Sequence, residues 1–288
     1  MNLRPQRLIV GLMILTALGC AGRRSGTLPE IEVTRDVVYA QRGDGDLRAD
    51  LYQPIDDGRL HPGVVVVHGG GWRHGSKRIM ASVARRLAQH GYVALAINYR
   101  LAPRHKFPAQ IYDCKEAVRW MRRNSKGLRV DAAHIGGFGY SAGGHLVALL
   151  ATTGAADGLE GLAATDDPSS RIEAAVAGAA PTDLHRFMYN PVFYFFLGGS
   201  QEQLPRMYEV ASPVTFVSSD DPPMFLYHGR YDWMVDVSQS ELMVSSLRDA
   251  GVPAELYETS GGHFTTFLND EDAVREALAF LDRWLKGT

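Results

Sequence analysis

Two kinds of apolar pattern alternate along this chain. A continuous apolar run occurs at residues 63–67, and short, largely apolar segments recur at 92–98, 134–138, 172–178, 224–228 and 254–257. Runs of that length and character are those of strands buried on both faces, as in a parallel sheet. Between them, apolar residues return every three or four positions at 76–89, 110–124, 142–152 and 237–250, and again at 272–285. That is the period of helices with one buried stripe. Ser76 is a plausible N-cap for the first of them, and Gly91 lies just past its end. Upstream, residues 31–40 and 47–52 are rich in β-branched and apolar side chains and flank Gly43-Asp44-Gly45-Asp46, which reads as a hairpin. An antiparallel start followed by strand–helix alternation predicts an α/β architecture, a mostly parallel sheet with helices on both faces. The connections at 155–170 and 182–212 are too long for tight loops, so they are candidates to carry function.

The first residues follow a different rule. Arg4 and Arg7 precede an apolar run, 8–18, that is too short to cross a bilayer, which needs about 20 apolar residues. It reads as the apolar core of a signal peptide. Thr16-Ala17-Leu18-Gly19-Cys20 resembles the bacterial lipobox, whose cysteine is acylated after cleavage. The expected organisation is a lipoprotein signal peptide at 1–19, a short tether at 20–30 and one catalytic-sized domain at 31–288. The resulting localisation would be an exported protein anchored through Cys20 to a membrane of a bacterial envelope. Removal of residues 1–19, which hold two arginines and no acid, takes the formal charge from −2 to −4. Cys114 is then the only other thiol, so an intrachain disulfide is not available to staple the fold.

Composition narrows the classes. The chain has 288 residues, of which 45% are hydrophobic and 22% charged, enough to bury a large core. A charge near neutrality provides no basic field for nucleic acid.

The chemistry-bearing segments sit where strands end. Gly139-Tyr140-Ser141-Ala142-Gly143 closes the run at 134–138 and opens the helix at 142–152. Gly-x-Ser-x-Gly at a strand-to-helix turn is the form of a nucleophile elbow, where side chains beside the serine would strike backbone. His68-Gly69-Gly70-Gly71-Trp72 directly follows the apolar run at 63–67. Such a loop can offer free N–H groups to an oxyanion, with Gly70 and Gly71 the best donors and Ala142, next after the serine, the third. His68 is expected to brace the loop. His145 lies down the helix from Ser141 and is a poor base, whereas His263 sits on a glycine-bearing loop after a late strand and before the last helix. For the acid, Asp232 and Asp236 both follow the run at 224–228, with Asp232 nearer the strand end. The order Ser141, Asp232, His263 is that of α/β-hydrolases.

Taken together, these segments resemble the α/β-hydrolase esterases with an HGGG-type motif, and most nearly the bifunctional feruloyl/acetyl-xylan esterase-like (BD-FAE-like) branch. The resemblance rests on His68–Trp72, Asn98-Tyr99-Arg100-Leu101-Ala102-Pro103, Phe107-Pro108-Ala109-Gln110, Gly139–Leu146, Ala180-Pro181-Thr182-Asp183-Leu184, Ala211-Ser212-Pro213, Asp221-Pro222-Pro223, His228-Gly229, Gln239-Ser240-Glu241-Leu242 and Gly262-His263-Phe264. It spans roughly 35–285. Two departures stand out: Asp236 occupies a usual proline position, which touches the Asp232 assignment, and Ala180 replaces a usual glycine before Pro181.

The resemblance implies an α/β-hydrolase fold and a serine carboxylesterase acting on acetyl or aryl esters, carbohydrate-linked esters among them. It implies Ser141, His263 and Asp232 as triad, and no metal or organic cofactor. An amidase, formamidase or peptidase using the same triad is the alternative. The partners expected are an ester substrate and, through Cys20, a membrane; the oligomeric state is left open. Only about ten tether residues, after the expected signal peptide, precede the first strands, too few for the helical cap of hormone-sensitive-lipase-like esterases. Cover for the site would have to come from 182–212, where Phe187, Met188, Tyr189, Phe193, Tyr194, Phe195 and Phe196 could form either buried packing or an aromatic wall for the substrate, with Phe193 and Phe196 the residues chosen to test it.

Overall fold

The computed structural model describes residues 29–164, 166–187, 190–269 and 271–287. The expected signal peptide, Cys20 and most of the expected tether lie outside the described residues. Eight strands form one sheet: β1 (Ile31–Arg42), β2 (Gly45–Pro54), β3 (His61–Val67), β4 (Val93–Ile97), β5 (Val130–Tyr140), β6 (Ala174–Gly178), β7 (Met224–Gly229) and β8 (Ala254–Thr259). Their spatial order is β1-β2-β4-β3-β5-β6-β7-β8, with β2 antiparallel to both β1 and β4 and every other neighbour parallel. The helices are α1 (Ala81–Gln89), α2 (Ala109–Arg123), the single turn α3 (Ser125–Leu128), α4 (Ala142–Thr152), α5 (Pro191–Leu197), α6 (Pro205–Val210), α7 (Ser238–Asp249), α8 (His263–Asn269) and α9 (Glu271–Leu281).

Strand periodicity explains the layers. Val65, Val67, Leu95 and Ile97 point to one face and pack with Ile111, Val118, Leu146, Leu149, Met243 and Leu247 from α2, α4 and α7. Their neighbours Val64, Val66, Ala94 and Ala96 point to the other, against Val83 and Leu87 of α1 and Ala273, Ala277 and Leu281 of α9. Both faces are apolar, so the central strands read as unbroken apolar runs.

Several features differ from the sequence expectation, helices α5 and α6 within 182–212 among them. The helix expected over 76–89 begins as a tight 3₁₀ turn, Lys77–Met80, before α1. Ser76 makes no side-chain cap there. Instead the Lys77 N–H donates to Asn98 Oδ1 at 2.8 Å, and its ammonium reaches Asp36 at 2.7 Å and the buried Asp50. A helix starts at His263 itself, ahead of the expected C-terminal helix. The 155–170 connection holds the buried heads of Lys115 and Arg119 on Glu160, at 2.7 and 2.8 Å, which is structural work on the flank of α2.

Because β3, β5 and β7 run parallel, their C-terminal ends, Val67, Tyr140 and Gly229, emerge on one edge of the sheet. The glycine loop, the serine turn and the acid loop begin there, and the His263 loop follows β8, whose end lies beside Gly229. Ile31 pairs with Pro54 at the opposite edge.

Candidate active site

Ser141 stands between β5 and α4 with φ of 56° and ψ of −124°, a conformation that costs a non-glycine residue on the order of 1–3 kcal/mol. The surroundings enforce it. The Ser141 N–H donates to the Gly178 carbonyl at 2.7 Å, and the Ser141 carbonyl accepts from His145 N–H at 2.9 Å. A Cβ at Gly139 would collide with the Gly143 carbonyl, and one at Gly143 with the Val67 carbonyl, so the turn closes only with glycine at both places.

The loops after β7 and β8 bring the other two groups in. Ser141 Oγ lies 2.9 Å from His263 Nε2, and His263 Nδ1 lies 2.6 Å from Asp232 Oδ2. A carboxylate only accepts, so Nδ1 carries the proton and Nε2 is left to accept from the serine hydroxyl. Asp232 is itself fixed, its Oδ1 accepting from the Met234 and Val235 N–H groups at 2.9 Å each. Burial works against the Asp232 carboxylate, but hydrogen bonds from His228, His263 and Val235 outweigh it and hold its pKa well below the usual range. Asp236 is elsewhere: exposed, with Oδ1 accepting from Ser238 N–H at 3.0 Å at the start of α7.

The glycine loop passes directly over the elbow. A Cβ at Gly69 would come within 2.9 Å of the Tyr140 carbonyl and 3.3 Å of Ser141 Cβ. Gly70, Gly71 and Trp72 then take φ values of 120°, 59° and 57°. The Gly70 carbonyl is used within the loop, accepting from Arg73 and His74 N–H groups at 3.2 and 3.0 Å. The Gly70, Gly71 and Ala142 N–H groups find no acceptor among the described residues. Three N–H groups beside a serine, with no protein acceptor of their own, are the donor set that a developing oxyanion needs.

Two histidines near the site serve as scaffold. His68 is buried, stacks on Tyr99 with ring centroids 4.3 Å apart and donates from Nδ1 to the Gly69 carbonyl at 2.7 Å. His145 donates from Nε2 to the Ala211 carbonyl at 2.7 Å and accepts the Trp72 indole N–H at Nδ1, 3.2 Å away. Burial lowers both to about 4, so both are neutral at physiological pH. Trp72, held also by Phe196 stacked at 4.2 Å, thereby locks the glycine loop to α4 and α5.

Several contributors were not singled out from the sequence. The Tyr140 O–H donates to the backbone carbonyl of His263, tying the elbow strand to the base. His228, buried, lies with Nε2 3.5 Å from Asp232 Oδ2, donates to the Val235 carbonyl at 2.8 Å and meets Ser240 Oγ at 2.7 Å. Their signal was position: Tyr140 occupies the variable place inside the serine motif, and His228 ends β7.

Of the two readings left open for Phe193 and Phe196, buried packing or a substrate wall, the structure shows the packing. Both rings are buried in the core, packed on Trp72, with centroids 5.5 and 4.2 Å away. It is Tyr194 and Phe195 that face solvent; Met188 and Tyr189 lie outside the described residues.

With this geometry in hand, comparison with known proteins is informative. The family model described as BD-FAE matches residues 49–247. The chain belongs to the BD-FAE family. Esterase LipQ of Mycobacterium tuberculosis is 33% identical over 265 residues, which cover 82% of this chain but 60% of LipQ. The chain thus spans less than two thirds of that relative's length. Among solved structures, a truncated carbohydrate esterase from gut microbiota superposes with a TM-score of 0.76 at 26% identity, covering 88% of this chain and 95% of that one. An acetyl ester-xyloside bifunctional hydrolase from Caldicellulosiruptor lactoaceticus gives 0.74 at 26% identity, covering 90% and 98%. The fold of this BD-FAE member is that of the α/β-hydrolase esterases.

Proposed function

We propose that this protein is a serine carboxylesterase that hydrolyses short acyl or aryl esters, carbohydrate-linked ones included, through an acyl-enzyme. The supporting observation is the continuous chain from Ser141 Oγ through His263 to Asp232 beside three unpaired N–H groups. In this reading Ser141 Oγ attacks the ester carbonyl carbon while its proton passes to His263 Nε2. Asp232 stabilises the imidazolium that forms. The carbonyl oxygen becomes an oxyanion received by Gly70, Gly71 and Ala142 N–H groups. Collapse breaks the bond to the alcohol oxygen, which leaves with the proton from His263. Water then repeats the sequence on the acyl-serine, giving up a proton to His263 and releasing the acid. The names of the relatives, an esterase and carbohydrate esterases, support esters over amides. Ser141→Ala should lower turnover of 4-nitrophenyl acetate by about 10⁴-fold or more at unchanged melting temperature. A variant retaining a tenth of the activity would sink the mechanism, and faster turnover of formamides than of esters would reassign the substrate.

We also propose that the protein is exported and held to a membrane through acylated Cys20. The lipobox-like run supports it. Metabolic labelling with a fatty acid should mark the protein and fail with Cys20→Ser; equal labelling of both would refute it.

A further inference from the structure

Among the large apolar side chains left in water in the described residues, Tyr231, Trp233, Met234 and Phe264 sit on the loops that carry Asp232 and His263. Of the six aromatic side chains exposed among the described residues, five are Tyr194, Phe195, Tyr231, Trp233 and Phe264. The last three belong to the two loops that carry the acid and the base. Trp233 is 83% exposed and follows Asp232; Tyr231, 71% exposed, precedes it; Phe264, 60% exposed, follows His263. Nothing in the fold calls for a tryptophan in solvent at that place, since its ring packs no core.

The backbone beneath these rings is fixed. Asp232 Oδ1 holds the Met234 and Val235 N–H groups, the Tyr231 N–H donates to the Gly261 carbonyl at 3.1 Å, and Asp232 N–H to the Gly229 carbonyl at 3.0 Å. The Phe264 ring stands perpendicular to the His263 imidazole, centroids 5.6 Å apart. A platform so mounted keeps its shape while waiting for a ligand, which reduces the ordering cost of binding.

The direction of the chemistry says which half of an ester meets it. His263 must return its proton to the departing oxygen, so the alcohol half lies on the side of His263 and Asp232. The acyl half is held on the glycine-loop side, where Val192 and Phe195 of α5 approach Gly71 and Arg73. Apart from the Tyr231 O–H and the Trp233 indole N–H, which belong to the rings themselves, polar side chains on the base and acid loops are already committed. Arg230 pairs with Glu258 at 2.9 Å, Asp236 with the Ser238 N–H, and Thr265 Oγ1 with the Gly262 N–H at 2.8 Å. What remains on offer is ring surface rather than a hydrogen-bonding fork.

We propose that Tyr231, Trp233 and Phe264 form the subsite for the leaving alcohol and select an apolar, ring-bearing alcohol. The inference rests on the esterase reading and sharpens it. The experiment compares benzyl acetate, ethyl acetate and an acetylated methyl xyloside, which share the acyl group and differ in the alcohol. In Trp233→Ala and Phe264→Ala the ratio of kcat/KM for benzyl over ethyl acetate should fall about 10-fold, while the ratio for benzyl acetate over benzyl butyrate, which varies only the acyl half, holds. As a readout that needs no variant, benzyl alcohol should compete against ethyl acetate in the unaltered protein at concentrations where ethanol does not. An unmoved benzyl-to-ethyl ratio would overturn the subsite. So would a fall confined to the xyloside, which would make the alcohol a sugar. If the unaltered protein hydrolyses none of these esters, the esterase reading fails, and the subsite with it.

Discussion

Asp232 and Asp236 show how four residues separate an acid that orients a base from one that begins a helix. Both carboxylates follow β7, and both take N–H groups from residues just downstream. Only Asp232 keeps a second oxygen for His263, at 2.6 Å, inside a buried pocket shared with His228. Asp232→Asn should therefore lower kcat by about 10⁴-fold with KM little changed, because the amide leaves the imidazole in the wrong tautomer. Asp236→Asn should stay within a few fold, and steady-state kinetics on both variants checks the pair. Ser141 and His263 were legible in the sequence because their chemistry demands unusual neighbours, glycines on a tight turn. The choice between the aspartates was less so, since chain position along a loop does not fix which carboxylate turns inward. Tyr140 was missed because its partner, His263, lies 123 positions away, and His228 because a strand-end histidine gives no local sign that it turns towards Asp232 and Val235.

At the scale of elements, α5 carries the clearest lesson. The segment at 182–212 reads as a long connection rich in aromatics, yet the markers of a helix are present. Asn190 caps it, with Oδ1 accepting from Val192 N–H at 3.0 Å; Pro191 opens it; and Gly198 ends it at φ of 96°. Its i, i+3 stripe, Phe193 and Phe196, is what buries against Trp72. Those rings therefore stabilise the glycine loop instead of touching substrate. Phe196→Ala should cost about 3–5 kcal/mol in chemical denaturation and lower kcat as the loop loosens. A variant of unchanged stability with a raised KM for aryl esters alone would restore the substrate-wall reading. The central strands and most helices were legible from periodicity, whereas the 3₁₀ start at Lys77–Met80 was not, because it is dictated by a lysine head seeking Asp50 across the sheet.

For the molecule as a whole, strand order was the part the sequence could not supply, since neighbouring in the sheet is decided by crossovers rather than by any local pattern. The order places three strand ends on one edge and assembles the site there. Buried scaffold histidines then link stability to pH. His68 and His145 are held neutral down to about 4, whereas in the unfolded chain each takes up a proton near 6.5. The unfolded state thus binds more protons between those values, so stability is fully present above about 6.5 and is lost as pH falls towards 4, on the order of 3 kcal/mol per histidine. Melting temperature against pH should show that slope, and His145→Gln should flatten it. The central claim is that Ser141 is an activated nucleophile. Intact-mass analysis after exposure to a fluorophosphonate tests it most directly. One adduct is expected, mapping to Ser141, absent in Ser141→Ala and formed far more slowly in His263→Ala. A protein that turns over esters yet takes the adduct elsewhere, or takes none, would contradict the account.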